Sequence, residues 1–214
     1  MNDRFIRNPV TAEEQEILKN SKVFVAGCGG LGGYIIEYLV RLGVGNIVCA
    51  DDGCFEHSDL NRQLLSEPGL IGVPKTTCAY ERAKRLWQDV NIQAVNIRMN
   101  EENLPNLIKG SDLAMDALDS AATRKALFQA AKAENIPLIH AAVNGWWVQA
   151  AFLNDTFFLK EHPSAEPIKV MSFVPGMAAA VQVSFAARYL LGCPIDNNLH
   201  VWNMQTMDYK QYTT

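Results

Sequence analysis

Lys22-Val23-Phe24-Val25-Ala26 runs directly into Gly27-Cys28-Gly29-Gly30-Leu31-Gly32, and few junctions restrict a fold so tightly. The apolar, β-branched run predicts a buried strand, while Leu31 to Leu42 repeats its apolar residues at helical spacing. A strand-to-helix turn is where a GxGxxG pattern has physical meaning. The first glycine allows the tight turn, the second lets backbone approach a phosphate, and the third lets the helix pack on the strand. Free N–H groups at the helix start then favour an anionic ligand. Gly27, Gly29, Gly30 and Gly32 therefore form a candidate nucleotide-binding loop.

Strand-like and helix-like runs alternate behind this junction. Strands are expected at 23–26, 46–50, 92–98, 113–118 and 137–142, and helices at 31–42, 73–89, 101–108 and 121–134. Such alternation predicts an α/β fold, a Rossmann-like doubly wound and mainly parallel sheet with helices on both faces. Beyond Gly145 the pattern changes. Residues 147–153 and 156–159 are expected to form a hairpin turning near Asn154-Asp155, with a mobile polar loop at 161–167. Residues 175–191 read as a buried helix stopped by Gly192, which completes a C-terminal hairpin and helix extension. Residues 193–214 show no clear period. No linker or repeat divides the 214 residues, so one domain is expected. It comprises an N-terminal arm or helix over 1–21, a nucleotide-binding part over 22–145, and the extension and tail over 146–214.

A net charge of −4 argues against a nucleic-acid or membrane partner. No apolar run nears the length of a membrane span, and Met1-Asn2-Asp3-Arg4 lacks the character of a signal peptide, so a cytoplasmic location is expected. The five cysteines (28, 49, 54, 78 and 193) include no CxxC pair. A disulfide framework and a tetrahedral cysteine zinc site are both disfavoured.

Asp51-Asp52 ends the second strand roughly 20 residues past the glycines, where an acid can hold ribose hydroxyls. To this point an NAD enzyme and an ATP enzyme fit equally. Arg62, in Asp59-Leu60-Asn61-Arg62-Gln63, and Lys75, in Gly72-Val73-Pro74-Lys75, favour ATP. Both fall at the carboxyl ends of strands, where doubly wound sheets bind ligands. A dinucleotide's phosphates are largely satisfied by backbone, whereas a triphosphate losing pyrophosphate needs cations for the charge that builds on the leaving group. Asp119 ends the fourth strand, placed to hold magnesium against phosphate oxygens or to cap the next helix. Tyr80-Glu81-Arg82-Ala83-Lys84 spells the YxxxK of short-chain dehydrogenases. So early in the chain, it reads as one face of an amphipathic helix.

In order along the chain stand Arg4-Phe5-Ile6-Arg7, Gln15 to Leu18, Asn20-Ser21-Lys22-Val23, GCGGLGG, Asp51-Asp52, DLNRQ, GVPK and Asp116 to Asp119. Together, from about Arg4 to Gly192, they resemble the ThiF/MoeB/HesA family, bacterial relatives of the ubiquitin-activating enzymes. The resemblance implies an ATP- and magnesium-dependent adenylyltransferase that activates the C-terminal glycine of a small ubiquitin-like sulfur-carrier protein ending in Gly-Gly. It places nucleotide contacts at the four loop glycines and at Asp51, Asp52, Asp59, Asn61, Arg62 and Lys75. Arg62, Lys75 and Asp119 become catalytic, with Asp119 on the metal. Arg7 matches an arginine that reaches into the partner protomer's site, which implies a homodimer.

The chain also departs from that family. Asp59 stands where the NLNRQ-type motif usually begins with Asn, a change expected to weaken a nucleotide contact. Trp147-Val148 replace a Gly-Gly pair before Gln149, placing bulk where backbone openness would admit a carrier tail. Asn8 replaces the Gln expected after Arg7. The two zinc-binding CxxC pairs are missing, so no zinc is expected, and segment 154–172 has no nucleophilic cysteine. That last absence favours a reaction ending at the acyl-adenylate, with sulfur delivered by another protein. Two other readings stand beside this one. An NAD(P)-dependent oxidoreductase would leave Arg62, Lys75 and Asp119 unexplained, and a non-catalytic nucleotide-binding scaffold would explain Trp147 and Asp59. The carrier remains open among thiamine, molybdenum or tungsten cofactor, tRNA thiolation and peptide modification.

Overall fold

The structure, a computed structural model, describes residues 3–153 and 169–213. Helix α1 (Ala12–Asn20) opens on a capping box, in which Thr11 accepts from the Glu14 N–H and the Glu14 carboxylate accepts from the Thr11 N–H. Strand β1 (Lys22–Ala26) buries Val23 through Ala26 completely. Burial of this kind stabilises by about 1.5–3 kcal/mol for each large apolar side chain, which makes β1 the natural centre of the sheet. There follow α2 (Gly32–Leu42), β2 (Asn46–Asp51), α3 (Lys75–Leu86), β3 (Asn91–Asn96), α4 (Leu104–Ile108), β4 (Leu113–Asp116), α5 (Ala121–Ala133) and β5 (Leu138–Asn144). Strand β6 (Trp147–Leu153), α6 (Val174–Leu190), β7 (Leu199–Asn203) and β8 (Asp208–Tyr212) complete the chain.

The eight strands form one sheet in the order β3-β2-β1-β4-β5-β6-β7-β8. The first five are parallel and the last three antiparallel. Helices α2, α3 and α6 pack on one face; α4 and α5 cover the other. This is the expected doubly wound fold. Its strand order reverses between β1 and β4, so the carboxyl ends of those two strands frame the crevice where such sheets bind ligands.

In the C-terminal third the strand expected over 147–153 and the helix expected over 175–191 form as β6 and α6, while the strand pairing and the tail add what was not expected. Strand β6 pairs with β5 around a turn at Gly145, whose φ of 59° suits glycine, and its other edge pairs with β7. The expected turn at Asn154-Asp155, the partner strand 156–159 and the loop 161–167 lie outside the described residues. The tail beyond Gly192 forms the β7–β8 hairpin, although its sequence shows no period. The reason is burial: in β7 His200 alone is buried, its neighbours are half-buried, and every residue of β8 is exposed. Backbone pairing builds these strands, and it leaves no apolar alternation to read. No helix among the described residues is long and apolar enough to cross a membrane.

Candidate functional site

The glycine loop occupies the crevice. Gly27 has φ 101° and donates its N–H to Ala50 O at 2.8 Å, so the chain turns sharply off β1 while still tied to β2. A β-carbon at Gly27 would lie 2.8 Å from Ala117 O, just past the end of β4. At Gly32 it would lie 1.9 Å from Gly27 O, which is backbone against backbone. Only glycine lets α2 start this close to the turn. Among the described residues no side chain caps α2, so its N-terminal N–H groups and the positive end of its dipole are left to the loop.

A ring of polar side chains closes around the loop. Asp51, at the end of β2, accepts the Cys28 N–H and the Gly53 N–H, each at 2.7 Å. Each carboxylate oxygen keeps a second lone pair, which leaves the expected ribose contact available. Lys75 begins α3 with its N–H bonded to Gly53 O at 2.9 Å. Its ammonium lies 3.7 Å from Asp59 Oδ2 and over the Phe55 ring. Arg62 Nη2 lies 3.7 Å from Asp59 Oδ1, while Nη1 donates to Ser58 O and Asn61 Oδ1. Asp59 is 5% exposed and also accepts from the Glu56 N–H and from Gln63 Nε2. Gln63 returns to the loop, since a β-carbon at Gly29 would sit 3.5 Å from its Oε1.

The ring thus unites Gly27, Gly29, Gly32, Asp51, Asp59, Arg62 and Lys75. Gly30 faces Pro175 at the start of α6, and among the described residues Asn61 touches the ring through Arg62. Asp52 is exposed beside the ring. Asp119 is exposed in the β4–α5 turn and, among the described residues, has no hydrogen bond or ion pair. Arg7 stands at the other edge of the sheet. Its neighbour Asn8 donates to Leu42 O at the far end of α2, and eleven helical residues set about 15 Å between that end and the loop.

Sequence reading missed the cluster behind Asp119. Asp116, at the end of β4, is 1% exposed. Its Oδ2 meets His140 Nδ1 at 2.6 Å and Arg124 Nε at 3.4 Å, and its Oδ1 accepts the Leu118 N–H at 3.0 Å. Burial alone would raise the Asp116 carboxyl. The Arg124 charge, then His140 and the Leu118 N–H, outweigh burial and hold it below the usual carboxylate range. With Nδ1–H donating to Asp116, His140 Nε2 is left to accept from Gln149 Nε2 at 3.4 Å. Arg124 also donates to Leu118 O, and Gln182 on α6 donates to Asp116 O. The network grips both ends of the turn that leads to Asp119. A lone histidine in the apolar run 137–142 was the available signal.

Other features bear on chemistry by elimination. Cys28, inside the loop, is fully buried, and its hydrogen bond to Cys49 together with burial pushes its thiol well up, so it supplies no thiolate. Tyr80 and Lys84 lie on α3, where Lys84 donates to Val90 O beside the start of β3, at the sheet edge opposite the loop. They form a helix face, as expected. The concavities of about 980 and 700 Å3 also lie at that edge, lined by residues such as Glu16, Asn20 and Asp112 or Trp87 and Asn91. Beside the loop a smaller cleft of about 400 Å3 is lined by Tyr34, Asn61, Arg62, Gln63, Ser172 and Phe173. Among the described residues no three His, Cys, Asp or Glu side chains cluster as a metal site.

The sequence matches the ThiF family over residues 3–214. It is 32% identical over 218 residues to a SAMP-activating enzyme E1 of Haloferax volcanii, covering 96% of this chain and 81% of that protein. It is 34% identical over 161 residues to the sulfur carrier protein ThiS adenylyltransferase of Escherichia coli, covering 72% and 64%. Among solved structures, E. coli MccB with ATP superposes with a TM-score of 0.84 at 17% identity, covering 94% of this chain and 65% of that one. The chain therefore spans about two thirds of that neighbour's length.

Proposed function

This chain belongs to the ThiF family, and from that premise we propose that it is an ATP-dependent adenylyltransferase acting on the C-terminal carboxylate of a small ubiquitin-like carrier protein. One observation carries the reading: Arg62 and Lys75 converge beside an uncapped, glycine-lined helix start. A nicotinamide enzyme would leave that pair of cations without a task.

In the reaction, a carboxylate oxygen of the carrier attacks the α-phosphorus of ATP. A C–O–P bond forms, the bond between the α-phosphorus and the bridging oxygen breaks, and pyrophosphate leaves. The attacking carboxylate is already ionised, so no general base is needed. The protein's part is to place the reactants and to neutralise charge as it builds on the leaving group. Backbone N–H groups at the α2 start cradle phosphate, Asp51 holds the ribose, and Arg62 and Lys75 face the departing pyrophosphate.

Magnesium fits the chemistry of Asp119. It takes one or two protein carboxylates plus phosphate oxygens, and Asp119 offers an exposed carboxylate with no partner among the described residues. When bound there, magnesium would withdraw charge from the phosphates. Arg124, Asp116 and His140 hold the turn on which Asp119 stands.

Asn8, next to Arg7, bonds the end of α2 that lies about 15 Å from the loop, which supports the use of Arg7 across a two-fold interface in a homodimer. At the carrier's end, Val148 is buried in the core and Trp147 is half exposed within continuously paired β6. A tail would run alongside this strand.

Thermal unfolding tests the choice of nucleotide, because a ligand that binds only the folded state raises its stability. Mg-ATP is expected to raise the melting temperature and NADH to leave it unchanged. A clear shift with NADH and none with Mg-ATP would refute the adenylation reading.

A further inference from the structure

Asp59 does more than support its neighbours. Its two oxygens face two cations, Arg62 on one side and Lys75 on the other, both at 3.7 Å. That separation lets the charges attract while the nitrogens stay outside hydrogen-bonding range. The hydrogen bonds that fix Asp59 come instead from the Glu56 N–H and Gln63 Nε2. Lys75 Nζ makes no hydrogen bond among the described residues, so its donors remain free for phosphate. The carboxylate offsets one of these two positive charges without occupying those donors.

The packing does not demand that charge. An asparagine of the same shape would accept the Glu56 N–H through its oxygen. Its NH2 would stand where Asp59 accepts from Gln63 Nε2, and a flip of the Gln63 amide would turn toward it the Gln63 Oε1, which is buried and has no partner among the described residues. What Asp59 adds over asparagine is the negative charge itself.

We propose that Asp59 sets the charge of the polyphosphate subsite, restraining affinity for pyrophosphate so that the leaving group departs. The proposal rests on the adenylation reading and adds to it a residue that tunes product release. Asp59 is a positioning and charge-setting residue rather than a group on the reacting atoms. A buried carboxylate beside two cations offsets part of their pull on any polyanion, and the offset scales with the ligand's charge. Neutral ligands should not feel it.

The test measures binding of inorganic pyrophosphate, ATP and adenosine to the wild-type chain, Asp59→Asn and Asp59→Ser, in EDTA-containing buffer of low ionic strength. Serine keeps an oxygen for the Glu56 N–H while removing the charge. Both variants are expected to bind pyrophosphate about 10-fold more tightly, about 1.4 kcal/mol, and ATP more tightly as well. Adenosine affinity should stay within about twofold, and added salt should narrow the gap between variants and wild type. Wild-type binding of pyrophosphate with unchanged or weaker binding in both variants would overturn the proposal and leave the adenylation reading standing. An equal shift for adenosine would assign Asp59 a structural role only. If neither variant folds, the claim that packing does not need the charge is wrong. A wild-type chain that binds neither ATP nor pyrophosphate would remove the adenylation reading and the proposal with it.

Discussion

Replacing Asp116 with Asn should be among the more costly isosteric changes in this fold. The side chain is 1% exposed, and Asn keeps an acceptor for the Leu118 N–H, so neither volume nor that bond is lost. What goes is the charge opposite Arg124, whose own side chain is 13% exposed, together with the strong acceptor for His140. Breaking a buried pair from one side leaves an uncompensated charge and costs about 3–5 kcal/mol. For a domain of this size about 1 kcal/mol moves the melting temperature by 2–4 °C, so the variant should melt roughly 6–20 °C lower. Arg124→Met should also destabilise. The double variant, with both charges removed, should be more stable than the sum of the single losses by about 1–3 kcal/mol. Urea unfolding of all four proteins at pH 7 measures the cycle. Additive losses, or an Asp116→Asn shift under about 2 °C, would refute the claim that a coupled ionic network holds this turn.

The same carboxylate fixes a pH window. Its folded pKa is depressed, so its contribution is complete above the unfolded value of about 4 and fades as pH falls toward the folded one. The destabilisation by Asp116→Asn should therefore shrink in urea titrations below about pH 4. Gly32→Ala should abolish ATP binding in a binding assay, because its β-carbon would sit 1.9 Å from Gly27 O and drive α2 off the loop. Mixing inactive Arg7→Ala chains with inactive Asp119→Ala chains should restore about a quarter of the working sites, since only the mixed dimer assembles one intact site. Metal analysis of purified protein should find no stoichiometric zinc, because the sequence has no CxxC pair.

Much of the fold was legible because its signals are local. The run 22–26 and the glycines behind it fixed the central strand and the turn, and alternating periodicity gave the parallel strands and their helices. Element ends were less legible. The helix expected over 73–89 spans Lys75–Leu86, because the chain around Val73 instead pairs with Phe55, and Trp87 leaves helical geometry to pack on Phe5. The β7–β8 hairpin left almost no trace, since its strands bury little. In the site, Arg62 and Lys75 were readable from their places after strands. The place of Asp59 between the two cations was not, because neither its departure from the motif nor the nucleotide contact that the resemblance implies signals pairing with both. Asp116, His140 and Arg124 lie on three separate elements, and only the sheet register that sets Asp116 beside His140 brings them together.

Carrier-dependent exchange of labelled pyrophosphate into ATP tests the central claim most directly. With magnesium and a small ubiquitin-like protein ending in Gly-Gly, encoded near this chain, the wild-type enzyme should catalyse exchange. Omitting the carrier or deleting its last glycine should abolish it. Arg62→Ala and Asp119→Ala should each lower exchange by about 100-fold or more, the usual scale of lost electrostatic stabilisation. Near-normal exchange in both variants, or Mg-ATP binding with no exchange for any such carrier, would contradict the account.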